Sequence, residues 1–193
     1  DNQLMTVSSP ELEKEFILDA GVDEDKVIRA GYPRCLYQQN FEPVRTFDHD
    51  LLGRKGLPAR TKIAVYAPTY RASHEGTFAR AVPDIERLYT FCKKHGMLLI
   101  FKMHPHMEND AGFRAAAEKY GGRPYFWFWD NKDDFYEVMH KMDLAIYDYS
   151  SIVSDMILMG VPHYIRYVFD YEEYMRSIDI HDVYMKRTVG TIA

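Results

Sequence analysis

The chain has 193 residues, 47% of them hydrophobic and 15% aromatic, with 24 Lys and Arg against 29 Asp and Glu for a net charge of −5. The basic residues are dispersed without a run, which argues against a phosphate-backbone binding face and excludes nucleic acid from the expected partners. The cysteines, Cys35 and Cys92, form no CxxC pattern and no apolar stretch approaches the ~20 residues of a membrane span, so a disulfide framework, a zinc cluster and a spanning helix are excluded.

The first 34 residues predict the tail of an N-terminal α/β domain. Leu4 to Val7 has the apolar pattern of a short strand, and a second short strand is predicted at Lys26 to Ala30. Between them, Ser8 or Ser9 followed by Pro10 is typical of a helix N-terminus, and the helix is expected to run to about Ala20. Because the chain begins without Met, we interpret it as a piece of a larger protein.

Residues 35–60 predict a linker, since they show no helical or strand period and contain Pro43. From residue 61 to 193 apolar runs of strand length alternate with amphipathic stretches of helix length, as in βαβ units. The predicted strands are 62–67, 97–103, 125–128, 144–147 and 163–167, and the predicted helices are 82–95, 110–120, 132–141 and 151–159. The expected fold class is therefore α/β, with a doubly wound parallel sheet in the second domain.

Polar residues just past the strands are the candidates for a binding site, because ligands of open parallel sheets lie at the carboxyl ends of the strands. After the strand that ends at Tyr147 come Asp148, Ser150 and Ser151, at the start of a helix. Free N–H groups at such a turn suit a diphosphate, and Asp155, one helical turn on, suits a ribose diol. The alternative is that Asp148 and Ser150 merely cap the helix and that Asp155 faces solvent.

Two further strand ends carry cationic and imidazole side chains. Thr69 and Arg71 follow the strand 62–67, and Arg71 could grip a phosphate with two hydrogen bonds. Lys102, His104 and His106 come after Phe101, at the end of the strand 97–103. His104 is the candidate catalytic residue, as a phosphate ligand or proton carrier, with His106 and Lys102 as further candidates. Alternatively the histidines are structural; no third ligand stands at metal spacing, so no metal is predicted.

These strand ends form an ordered set that resembles the CDP-glycerol glycerophosphotransferase family. The set comprises 66–71 (YAPTYR), 102–104 (KMH), 143–151 (DLAIYDYSS) with Asp155, and 169–174 (FDYEEY), preceded by 31–34 (GYPR). The resemblance implies a GT-B arrangement of two Rossmann-like domains, of which this chain is the C-terminal, CDP-holding one. It also implies that His104 contacts the donor phosphates, that Ser150 and Ser151 form the diphosphate turn, and that Asp155 lies near the ribose.

The resemblance further implies transfer of glycerol phosphate or a related polyol phosphate from a CDP-activated donor to a lipid-linked or glycan hydroxyl acceptor, in cell-envelope polymer synthesis. The general base would belong to the missing N-terminal domain, so the chain alone is expected to bind nucleotide without turnover. No cofactor is implied, and the full-length protein is expected in the cytoplasm, peripheral at the inner membrane face. Where the family commonly has Trp this chain has Tyr70, and Cys35-Leu36 stand where it has Asn-Asp, which leaves the donor open.

Two other functions remain open at this point. A GT-B glycosyltransferase or a sugar-nucleotide epimerase would place a diphosphate at the same helix turn. A non-catalytic nucleotide-binding domain would use the same fold without a reaction. Base and donor preference separates the first alternative from polyol-phosphate transfer, and absence of nucleotide binding would favour a turn that only caps a helix.

Overall fold

The computed structural model describes residues 4–7, 9–10, 13–14, 17, 21–31, 45–71, 76–177 and 191–192. The chain divides into two compact units, Asp1–Val44 and Arg45–Ala193. In the first unit, β1 (Met5–Val7) pairs in parallel with β2 (Val27–Arg29), at the places of the two predicted strands. Of the predicted helix, residues 10, 13, 14 and 17 are helical, and the remainder lies outside the described residues.

The predicted linker, 35–60, is crossed by the boundary between the units. Residues 35–44 lie outside the described residues, and residues 45–60 belong to the second unit. There the short helix α1 (Leu51–Arg54) begins at Asp50, whose carboxylate accepts the N–H of Gly53 at 2.9 Å. Leu51 and Leu57 are buried in the core of the unit, so this stretch is packed structure. The division into domains of a longer protein stays a prediction.

The second unit is built on a parallel sheet with helices on both faces, which confirms the predicted α/β class. Its strands are β3 (Lys62–Ala67), β4 (Met97–Phe101), β5 (Phe126–Phe128), β6 (Leu144–Tyr147), β7 (His163–Arg166) and β8 (Thr191–Ile192). Their order in the sheet is β5-β4-β3-β6-β7-β8, and each strand pairs in parallel with its neighbours. The chain moves outward from β3 to β5 and then returns to β6 beside β3, so the switch point lies between β3 and β6.

Helices cover the sheet, and two of them have a side-chain cap at the N-terminus. The helices are α2 (Thr77–Ala81), α3 (Ile85–His95), α4 (Ala111–Tyr120), α5 (Ile152–Leu158) and α6 (Tyr171–Ser177). The carboxylates of Asp84 and Asp110 each accept a backbone N–H at 2.9 Å in the first turns of α3 and α4. Gly96, with φ +61°, ends α3 in a left-handed conformation that a residue with a Cβ rarely adopts.

The predicted helix at 132–141 is wrong. Two separate 3₁₀ turns, Phe135–Glu137 and Met139–Lys141, occupy this stretch. Asp134 caps the first turn by accepting the N–H of Tyr136 at 3.0 Å, and Val138, with φ −119°, interrupts the helical path between the turns. Phe135, Val138 and Met139 are all buried in the core. A continuous helix could bury the same three side chains, so the apolar pattern did not distinguish a helix from two 3₁₀ turns.

Candidate functional site

Asp148, directly after β6, is the centre of a polar cluster at the switch point. It is fully buried, and its Oδ1 accepts hydrogen bonds from the backbone N–H and the hydroxyl of Thr69, both at 2.8 Å. Oδ1 also accepts the N–H of Tyr149 at 2.5 Å, while Oδ2 accepts from Nη2 of Arg71 at 2.7 Å. Because β3 and β6 are neighbours, the loops that follow them meet at this carboxylate.

Arg71 is held between two carboxylates. Its Nε donates to Asp170 Oδ2 at 2.7 Å, Nη2 donates to Asp170 Oδ1 at 3.1 Å as well as to Asp148, and Nη1 donates to the carbonyl of Thr69 at 2.7 Å. Burial by itself lowers the pKa of Arg71, but the hydrogen bonds and charges of Asp170 and Asp148 outweigh it and raise the pKa. The guanidinium predicted to grip a phosphate is therefore largely engaged within the protein, and a phosphate contact stays a prediction.

Asp170 belongs to this cluster, although sequence reasoning placed it only within the motif 169–174 and gave it no role in the site. It is buried in the loop after β7, and its ion pair with Arg71 joins that loop to the loop after β3. The aromatic rings of Tyr149 and Tyr174 stack with centroids 3.8 Å apart, and the Arg71 guanidinium lies 4.4 Å from the Tyr174 ring. Burial raises the pKa of Tyr149, with the charge of Asp170 as the next cause. An acidic residue just past a strand was the available signal for Asp170.

The Ser150–Ser151 turn lies between this cluster and α5. Ser151 is exposed and is the N-cap residue of α5, and its side chain makes no capping hydrogen bond. Asp148 does not cap the helix, because its carboxylate bonds to Thr69, Arg71 and Tyr149. The alternative is therefore wrong for Asp148, and Ser150 and Ser151 stand at the turn where a diphosphate is predicted.

Asp155 faces inward from α5. Its residue exposure is 5%, and it accepts a hydrogen bond from the hydroxyl of Tyr136, in the 3₁₀ turn after β5. The alternative of a solvent-facing carboxylate is therefore wrong. A ribose diol would have to share Asp155 with Tyr136, so the predicted ribose contact stays a prediction.

His104, His106 and Tyr70 form a cluster of three rings at the end of β4. The ring centroid of Tyr70 lies 5.4 Å from that of His104 and 5.5 Å from that of His106, and the two imidazole centroids are 5.2 Å apart. His104 caps a 3₁₀ turn, Pro105–Met107. Both imidazoles are exposed. Tyr70 stands between Thr69 and Arg71, so the loop after β3 contacts both the Asp148 cluster and the histidines.

Lys102 lies beside this cluster and bonds to neutral groups. Its Nζ donates to the side-chain oxygen of Asn131 and, at 3.4 Å, to the carbonyl of Met103. Asn131 in turn donates to Glu108 at 2.5 Å. Burial lowers the pKa of Lys102, and the charges of Glu108 and Asp134 act in the opposite direction. Lys102 therefore places a partly buried amine near His104.

A cavity of about 480 Å³ lies elsewhere, against one face of the sheet. Its walls are mainly apolar side chains of β3, β4, β6, β7 and α3, and none of the predicted site residues lines it.

Among the described residues, no group of three or more His, Cys, Asp or Glu side chains is arranged to hold a metal ion. In that same part of the chain no helix has the length and apolar character required to cross a membrane.

The model of one protein family, CDP-glycerol:poly(glycerophosphate) glycerophosphotransferase, matches residues 1–193. The chain belongs to this family. The teichoic acid ribitol-phosphate polymerase TarK of Staphylococcus aureus is 28% identical over 191 residues, which cover 95% of this chain and 35% of TarK. The teichoic acid glycerol-phosphate primase of Bacillus spizizenii is 30% identical over 165 residues, which cover 85% of this chain and 39% of the primase.

Solved structures agree on the fold of this glycerophosphotransferase-family chain. The wall teichoic acid polymerase TagF superposes with a TM-score of 0.69 at 22% identity, covering 98% of this chain and 46% of TagF. A UDP-GlcNAc 2-epimerase from Neisseria meningitidis superposes with a TM-score of 0.60 at 13% identity, over 90% of this chain and 47% of the epimerase. The chain spans about a third of the length of the curated relatives named above.

Proposed function

We propose that this chain holds the CDP portion of a CDP-activated polyol in an enzyme that transfers polyol phosphate to a hydroxyl acceptor of a cell-wall polymer. The observation that carries the proposal is the family match over the whole chain. The printed functions of TarK and of the primase, a ribitol-phosphate polymerase and a glycerol-phosphate primase, support the reaction class and leave glycerol and ribitol both open as the donor polyol.

The arrangement at the switch point supports the same proposal. Thr69, Asp148 and Ser151 converge at the carboxyl ends of β3 and β6, where open parallel sheets bind nucleotides. In the proposed reaction, the acceptor oxygen bonds to the phosphorus that carries the polyol, and the bond from that phosphorus to the CMP oxygen breaks. CMP leaves with the bonding electrons, and the acceptor proton passes to a base from the N-terminal domain that we predict for the longer protein.

The partners and location of the longer protein are part of the proposal. A lipid-linked or glycan chain would be the acceptor, and binding at the cytoplasmic face of the membrane would place the enzyme beside a lipid-linked acceptor. No cofactor is required by this reaction, since both the leaving group and the transferred group come from the donor.

Calorimetric titration with CDP, CMP, UDP and ADP tests the proposal. We expect selective binding of CDP, reduced at least roughly tenfold by Ser151→Glu, because a carboxylate at the helix N-terminus repels a diphosphate. Thr90→Glu is the matched control, because Thr90 is exposed in the middle of α3, where the variant adds the same charge away from a helix N-terminus. Preference for UDP would indicate a glycosyltransferase or epimerase, and no binding to any nucleotide would contradict the proposal.

A further inference from the structure

The 3₁₀ turn after β4 determines which nitrogen of His104 can carry a proton. The backbone N–H of His106 donates to Nδ1 of His104 at 3.2 Å, and the carbonyl of His104 accepts the N–H of Met107 at 2.7 Å. Pro105, between them, has no N–H and stands at the first position of the turn. Nδ1 is therefore a hydrogen-bond acceptor, and its lone pair is directed at the amide of His106.

An imidazole whose Nδ1 accepts a hydrogen bond carries its proton on Nε2 when it is neutral. An imidazolium has an N–H on both nitrogens. If Nδ1 were protonated, its N–H would point at the backbone N–H of His106, and neither group could accept a hydrogen bond from the other. Within the described part of the chain, no carboxylate bonds to His104 to offset that arrangement. Among the described residues, the groups that face the ring are Lys102, His106 and Tyr70.

The surroundings agree with the geometry of the turn. Partial burial of the ring lowers the pKa of His104, and the charges of His106 and Lys102 lower it further. The neutral form therefore predominates at pH values near 7. Nε2, on the far side of the exposed ring from the turn, is the nitrogen that remains for a ligand.

We infer that His104 acts in this site as a neutral donor: the His106 amide holds its tautomer, and Nε2–H is presented to an oxygen of the bound diphosphate. His104 is then not the base that accepts the acceptor proton, because the lone pair a base needs is occupied by the His106 amide. The identity of the anion rests on the proposed function, whereas the tautomer rests on the turn alone.

Nitrogen NMR of the histidine-labelled chain at neutral pH tests the tautomer without any ligand. The His104 signals are identified by their loss in His104→Asn. We expect an unprotonated Nδ1 and a protonated Nε2, in the free chain and with CDP. A protonated Nδ1, in either tautomer or in the imidazolium, would overturn the inference even if CDP binds well.

Two substitutions separate the two nitrogens of the ring. His104→Gln places an amide near the position of Nε2 and keeps a donor for the ligand, whereas His104→Asn places its amide near Nδ1 and keeps the cap of the turn. By calorimetry we expect CDP affinity to fall roughly tenfold in His104→Asn and by less than about threefold in His104→Gln. His163→Gln and His163→Asn are the controls, because His163 is exposed at the opposite end of the sheet, at the start of β7.

The outcomes are distinguishable. Equal losses in the two His104 variants would overturn the donor role while CDP binding itself still supported the proposed function. A chain that binds no nucleotide would remove the donor role and the proposed function together, and the NMR result would still decide the tautomer. The ratio of the CDP affinities of the unaltered chain and His104→Gln should stay constant from about pH 8 to about pH 7, where the neutral form of His104 predominates. A ratio that grows as the pH falls would indicate an imidazolium and contradict the inference.

Discussion

Both carboxylate oxygens of Asp148 accept hydrogen bonds, from the loop after β3 and from its own loop. Thr69 supplies two donors and Arg71 a third, and a buried carboxylate requires such partners because desolvation of an unpaired charge is costly. The guanidinium of Arg71 meets the same requirement through Asp148 and Asp170. These side chains therefore position the loops around the Ser150–Ser151 turn.

Arg71→Met should destabilise the chain by about 3–5 kcal/mol, because it leaves two buried carboxylates without their shared cation. Denaturant unfolding measures this change in the free energy of unfolding. Arg114→Met is the control. Among the described residues, the side chain of Arg114 bonds only to exposed groups of Glu108 and Asn109, so this substitution should cost less than about 1 kcal/mol. Unchanged stability with lost CDP binding would instead show that Arg71 serves the phosphate.

Asp155→Asn tests the predicted ribose contact. The amide oxygen of Asn can still accept from Tyr136, so the fold should remain while the charge that favours a ribose diol is lost. We expect the affinity for CDP to fall roughly tenfold and that for inorganic pyrophosphate to stay unchanged, because pyrophosphate has no ribose. Equal effects on both ligands in calorimetry would show that Asp155 acts through the structure of α5.

At the level of elements, the 3₁₀ turns between β5 and β6 are joined to the segment before α1. Glu137 is buried in the first turn, and its carboxylate accepts from Nε2 of His49 at 2.6 Å and from the hydroxyl of Thr46 at 2.7 Å. Burial by itself raises the pKa of Glu137, but these hydrogen bonds outweigh it and hold the pKa below its ordinary value. The hydrogen bonds of Glu137 to His49 and Thr46 therefore hold the turns in place, where a continuous helix would be held by its own backbone hydrogen bonds.

Glu137→Gln should lower the free energy of unfolding by about 2–4 kcal/mol at neutral pH, because the charged acceptor is lost. A carboxyl whose folded-state pKa is depressed contributes stability above its unfolded pKa and loses it as the pH falls through the folded value. The difference between the unaltered chain and Glu137→Gln should therefore shrink below about pH 4. Glu118→Gln, at an exposed position of α4, should show neither effect in the same denaturant series.

At the level of the whole molecule, the second unit contains both large core clusters. One lies against the face of the sheet that includes Val65 and Ala145, and it contains Leu51 and Leu57 from before the first strand of that sheet. The other contains Tyr66 and Phe101 on the opposite face. The core of this unit is therefore complete only when residues 45–60 are included.

A chain of residues 45–193 should unfold cooperatively and keep its CDP affinity, whereas residues 61–193 should be markedly less stable. The shorter chain loses two buried leucines, and removal of one such side chain typically costs about 2–5 kcal/mol. Calorimetric scanning of the two truncated chains checks this expectation. Equal stability would show that residues 45–60 are a linker, as their sequence predicts.

The sequence by itself determined the fold class, most strands and the places where site residues stand. Buried strands such as Lys62–Ala67 and Leu144–Tyr147 need continuous apolar runs, and these runs marked their bounds. The ordered strand-end motifs also indicated the family that the whole-chain match confirmed. Local pattern did not determine the stretch 132–141, since 3₁₀ turns and a helix both bury Phe135 and Met139.

Only the tertiary structure decided how the polar side chains are partnered. Arg71 and Asp170 are 99 residues apart and meet because β6 and β7 follow β3 in the sheet order. Asp155 likewise meets Tyr136 only because the 3₁₀ turn after β5 lies beside α5. The sequence shows that a charged residue follows a strand. Its partner depends on the order of the strands, because a buried charge needs an opposite charge close by and the strand order decides which one is close.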